Sequence, residues 1–132
     1  MLPVIVLDTS FLVSFFLPSD ENHEKALLMA ADNKSEDMIL SDMILHETLT
    51  VLNYKGGIKL AKEANEDLMR NHYVFFVRLK EEETKEILSM FFDQSKKLSV
   101  QDFSVIYLAK KTNSKVLAFD DKIVKSVNKK DI

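Results

Sequence analysis

Val4-Ile5-Val6-Leu7-Asp8-Thr9-Ser10 is the stretch on which the reading of this chain turns. Four apolar, mostly β-branched residues in a row read as a strand buried on both faces, as in the middle of a parallel sheet. The run then meets a carboxylate and two hydroxyls before an apolar segment, Phe11 to Leu17. In open α/β sheets, ligands bind beyond the carboxyl ends of the strands, which puts Asp8 where chemistry takes place. Taken alone, Asp8 or Ser10 is better explained as the N-cap of the next helix. A functional reading needs other carboxylates at similar positions.

Working outward, the pattern predicts a short helix from Thr9 to Leu17, stopped by Pro18. A second helix runs from about Glu21 to Asn33, with Ser19 or Asp20 as its cap. Met38–Leu40 is a strand candidate, and Ser41 caps a helix that reaches Lys55 and ends at Gly56–Gly57. The charged segment Ile58 to Asn71 forms a further helix with a narrow apolar face of Leu60, Ala61, Ala64 and Leu68. That weak face predicts a hairpin that projects from the sheet and serves partner contacts. Tyr73–Val77 is a third strand, Glu81–Lys97 a long helix, and Ser99 caps another helix through Asn113. Lys115–Phe119 is a fourth strand and Asp121–Asn128 a last helix. Strands alternating with helices imply an α/β domain with a parallel sheet and right-handed crossovers.

The bulk numbers fit one domain spanning residues 1–132. Apolar residues make up 46% and charged residues 30%, a balance ordinary for a soluble globular protein. With no cysteine, disulfide scaffolds and thiolate metal sites are excluded. The apolar start lacks a basic region and is broken by Asp8, no run approaches a membrane span, and the expectation is a cytoplasmic protein. Net charge is −3, but residues 96–132 carry nine lysines against four aspartates, whereas the rest of the chain is acidic. Such asymmetry hints at a polyanionic partner, and a solvated lysine-rich surface explains it equally well.

Three more carboxylates recur in places like that of Asp8. Glu47 stands at the edge of the apolar stripe of its helix, where an unpaired carboxylate would lose solvation. Asp102 shares a helix face with Val105, Ile106 and Ala109, although Ser99-x-x-Asp102 also satisfies a capping box. Asp120 follows the fourth strand as Asp8 follows the first, with Asp121 expected to cap the last helix. In this topology all four converge on one edge of the sheet. Carboxylates about 4 Å apart repel by on the order of 4 kcal/mol per pair at an effective dielectric near 20. A cluster of them calls for a cation, and all-oxygen ligands suit Mg²⁺ or Mn²⁺. His23, His46 and His72 have no zinc-site spacing.

The segments VIVLDTSFLV, HETLTVL and SVQDFSVIYLAKKTNSKVLAFDDKI, taken together and in order, resemble the PIN-domain nucleases. That resemblance implies a three-layer fold with strand order 3-2-1-4(-5), the sheet having four or five strands. It implies that Asp8, Glu47, Asp102 and Asp120 are both metal ligands and catalytic residues for hydrolysis of RNA phosphodiesters with Mg²⁺ or Mn²⁺. Small members of the family include the VapC-like toxin ribonucleases of toxin–antitoxin pairs, so an antitoxin partner and a homodimer are also implied. This chain departs from the family at Ala118, where Thr or Ser is frequent, and in lacking a clear fifth strand. Ala118 keeps open a catalytically silent PIN-like module that binds RNA or protein. A Mg²⁺-binding phosphoacceptor domain would need an Asp after strand three, where this chain has Val77-Arg78-Leu79.

Overall fold

A computed structural model describes residues 4–128. The strands are β1 (Val4–Leu7), β2 (Asp37–Ser41), β3 (Val74–Val77) and β4 (Lys115–Leu117). The helices are α1 (Thr9–Phe16), α2 (His23–Asp32), α3 (Asp42–Gly56), α4 (Ile58–Arg70), α5 (Glu81–Phe92), α6 (Val100–Thr112) and α7 (Asp121–Asn128). The four strands form one sheet in the order β3-β2-β1-β4, all parallel, with helices flanking it. β1 pairs with β2 through Ile5↔Met38 and with β4 through Ile5↔Lys115, which makes it an inner strand. Ile5, Val6 and Leu7 are accordingly 0–1% exposed, as a run with no polar alternation requires.

Helix starts follow local chemistry. The Ser41 hydroxyl accepts from Ile44 N at 3.2 Å and opens α3. At the head of α6 a capping box forms, with Asp102 N donating to Ser99 Oγ (3.0 Å) and Ser99 N to Asp102 Oδ2 (2.8 Å). α6 buries Phe103, Val105, Ile106, Leu108 and Ala109, so it is a core helix on most of its circumference.

Several boundaries differ from expectation, each for a visible reason. α2 begins at His23, and neither Ser19 nor Asp20 caps it; the Asp20 carboxylate instead takes Ser14 Oγ (2.7 Å) and Asn22 N (2.9 Å). α5 ends at Phe92, well before Lys97. There the Gln94 side chain closes a loop by bonding both Leu98 N and Leu98 O, at 2.8 and 2.9 Å. β4 stops at Leu117 because Phe119 N leaves the ladder for the hydroxyl of Ser10, at 2.9 Å.

The α3–α4 hairpin turns at Gly57, whose φ of 93° and ψ of 164° are almost confined to glycine. Its apolar face is not left for a partner. Ala61 and Ala64 are buried with Leu52, Val13 and Leu17 in a second small core that ties the hairpin to α1. Lys59 and Lys62 remain on its exposed side.

Candidate active site

Asp8 is carried to the carboxyl edge of the sheet by the most buried strand and becomes the N-cap of α1. Its Oδ2 accepts from Ser10 N (3.0 Å) and Ser10 Oγ (2.6 Å), while the same hydroxyl accepts from Phe119 N. The ends of β1 and β4 are thus clamped together through one serine. A hydroxyl from α1 serves the β4 terminus, where Ala118 supplies none. Asp8 is 3% exposed. Burial pushes its carboxyl up to about 6, against the Ser10 hydrogen bonds, with the charges of Asp102 and Glu47 adding to the rise.

The other three carboxylates arrive from separate elements. Glu47, in the second turn of α3, is half-buried and makes no hydrogen bond or ion pair among the described residues. Asp102 is half-buried at the head of α6; it caps the helix with one oxygen and also lines the cavity, so both readings of it hold at once. Asp120 follows β4, and its Oδ1 accepts from Lys122 N at 2.9 Å. Asp120, and not Asp121, therefore caps α7; Asp121 is its first helical residue and is exposed.

All four line one cavity of about 360 Å³, together with Thr9, Ser14, Asp20 and Lys55. Among the described residues no three acidic or histidine side chains are drawn close enough to clasp an ion. The donor set nevertheless suits a hard cation. Asp8, Asp102 and Asp120 each hold one oxygen in a cap and keep the second out of any hydrogen bond among the described residues. Thr9 Oγ1, on the same wall, is buried without a partner among the described residues. Oxygen ligands of this kind fit Mg²⁺ or Mn²⁺.

Sequence reasoning missed Lys55 and Asp20 on the cavity wall. The signal for Lys55 was present: Glu47, Val51 and Lys55 recur at four-residue intervals on one face of α3. Two of the C-terminal lysines lie elsewhere. Lys111 pairs with Glu83 (3.0 Å) and Lys115 with Glu36 (3.1 Å), and neither lines this cavity.

The PIN domain family model matches residues 5–130. The chain belongs to the PIN-domain family. This PIN domain is similar in structure to Mycobacterium tuberculosis VapC20, described as a sarcin–ricin loop cleaving toxin. Its TM-score there is 0.84 at 20% identity, covering 92% of this chain and 94% of that one. It is also similar to VapBC2 from Rickettsia felis, solved bound to a DNA fragment from their promoter, with TM-score 0.65, 11% identity and 92% of each chain covered. No curated protein sequence matches it. No helix among the described residues of this PIN domain is long and apolar enough to cross a membrane.

Proposed function

We propose that this PIN domain is a metal-dependent endoribonuclease and the toxin of a toxin–antitoxin pair. The observation that carries the reading is the lining of one cavity by Asp8, Glu47, Asp102 and Asp120, from four different elements at the same sheet edge. Family membership and the likeness to VapC20 support it. The likeness to VapBC2 supports an antitoxin partner, and the proposal extends to a homodimer acting in the cytoplasm.

In this reading Asp8, Glu47, Asp102 and Asp120 would hold Mg²⁺ or Mn²⁺. When bound, a divalent ion supplies a water of lowered pKa and offsets charge developing on the attacked phosphate. The chain's own part is positioning. Ser10 fixes the Asp8 carboxylate, Ser99 that of Asp102, and the first turn of α7 that of Asp120. Glu47, without a hydrogen bond or ion pair among the described residues, would be the ligand free to adjust.

The test is cleavage of a labelled RNA at matched Mn²⁺, with chelator as control, by Asp120→Asn and Asp121→Asn. Asn accepts the capping hydrogen bond as Asp does, so both variants are expected to fold normally. Asp120→Asn should lose cleavage by roughly a hundredfold or more, since weakening even an outer partner of a metal ligand costs about 10- to 100-fold. Asp121→Asn should stay within a few-fold of the parent. A parent that cleaves no RNA at any Mn²⁺ concentration would leave the silent RNA- or protein-binding module as the better reading.

A further inference from the structure

A cavity lined by Asp8, Asp20, Glu47, Asp102 and Asp120 repels a nucleic-acid backbone unless positive charge stands nearby. Among the described residues lining it, Lys55 is the single cation. Lys55 occupies the last turn of α3 and is exposed, with no hydrogen bond or ion pair among the described residues. Its charge is felt at Asp20, whose carboxylate is held below its ordinary range first by the Ser14 hydrogen bond and then by Asn22 and Lys55. Ser14 and Asn22 both bond Asp20 Oδ2, and no ion pair joins Asp20 to Lys55 among the described residues. The helix end that presents Lys55 is packed, since a β-carbon added at Gly56 would lie 3.2 Å from Leu17 Cδ1 and press on Leu60.

We propose that Lys55 is a positioning residue that binds an RNA backbone phosphate next to the one being cleaved. This rests on the ribonuclease reading above. Eight residues separate Lys55 from Glu47 on the same helix face, about 12 Å along the axis. That backbone offset sets Lys55 on the cavity wall beside the carboxylates, and the contact proposed for its ammonium is with a neighbouring phosphate of the strand. The consequence is an effect on substrate capture with little effect on the chemical step. A lysine at a helix C-terminus also favours the helix dipole. That structural role would show in the melting temperature and leave the salt dependence of RNA binding unmoved.

The experiment compares the full chain with Lys55→Gln, Lys55→Arg and the control Lys25→Gln, which removes an equal charge from the exposed side of α2. KM and kcat for a fluorescently labelled, mixed-sequence RNA oligonucleotide are measured with Mn²⁺ over a salt series. Binding of the same RNA is followed by anisotropy without Mn²⁺. Lys55→Gln is expected to raise KM roughly five- to tenfold with kcat nearly unchanged. The salt slope of binding should fall by about 0.7, the share of one phosphate contact on a single strand. Lys55→Arg should restore both, and Lys25→Gln should match the parent. If Lys55→Gln keeps the parent's KM and salt slope while Mn²⁺-dependent cleavage persists, the inference falls and the nuclease reading stands. A loss confined to kcat also overturns it. If the parent binds RNA through Lys55 without cleaving it, the phosphate contact stands and the nuclease reading falls. A parent that neither binds nor cleaves overturns both.

Discussion

Asp8→Asn is expected to abolish RNA cleavage and at the same time raise the melting temperature of the metal-free protein. Asp8 is 3% exposed, and its carboxyl is pushed up to about 6 from an unfolded value near 3.8, chiefly by burial. Between those values the folded chain holds a proton that the unfolded chain has released. Stability therefore falls as pH rises through that window and stays low above it. The net cost at neutral pH is on the order of 2–3 kcal/mol. Asn does not titrate and still accepts from Ser10 N. The variant should match the parent below about pH 4, gain on it from about pH 4 to 6, and lead by roughly 5–10 °C at neutral pH. The stabilisation of the parent by Mn²⁺ should run the other way, growing through about pH 6 as Asp8 ionises, because metal ligands must be deprotonated. Thermal melts across pH, with and without Mn²⁺, check both halves. A variant less stable than the parent at neutral pH would show that ionised Asp8 is not a burden on the fold.

Leu52→Ala carries the largest expected loss of stability. Leu52 is fully buried where α1, α3 and α4 meet, with Val13, Leu17, Ala61 and Ala64 around it. Two of those neighbours are alanines with no side chain to swing into the gap, so the cavity should persist and cost about 3–5 kcal/mol. Denaturant melts should show this, whereas Lys59→Glu with Lys62→Glu, on the exposed side of the same hairpin, should leave the midpoint nearly unmoved. A small effect of Leu52→Ala would mean that the hairpin is a dispensable appendage.

That contrast marks where sequence reasoning reached and where it stopped. β1 and the all-parallel sheet were legible because an unbroken apolar run has few homes outside a covered parallel sheet, whereas the 3-2-1-4 order was implied only by the resemblance to the PIN-domain nucleases. The Ser41 and Ser99 caps were legible because capping is local. The hairpin's burial was not, since Ala61 and Ala64 look like a weak apolar face until close helix approach turns their small size into contact. The end of β4 was hidden for a related reason. It is set by a bond from Phe119 N to Ser10, 109 residues away in sequence, and the resulting shift makes Asp120 rather than Asp121 the cap of α7. Capping and lining the cavity were set against each other in the sequence. At Asp8, Asp102 and Asp120 they are compatible, because a carboxylate has two oxygens and a cap uses one.

The most direct measurement is calorimetric titration of Mn²⁺ into the metal-free protein at about pH 7.5, where the ligands are deprotonated. It compares the parent with Asp8→Asn, Glu47→Gln, Asp102→Asn, Asp120→Asn and Asp121→Asn. The account predicts that the parent binds Mn²⁺, that each of the first four variants binds at least about tenfold more weakly, and that Asp121→Asn binds as the parent does. A parent that takes up no Mn²⁺, or four variants that bind it as tightly as the parent, would contradict the account.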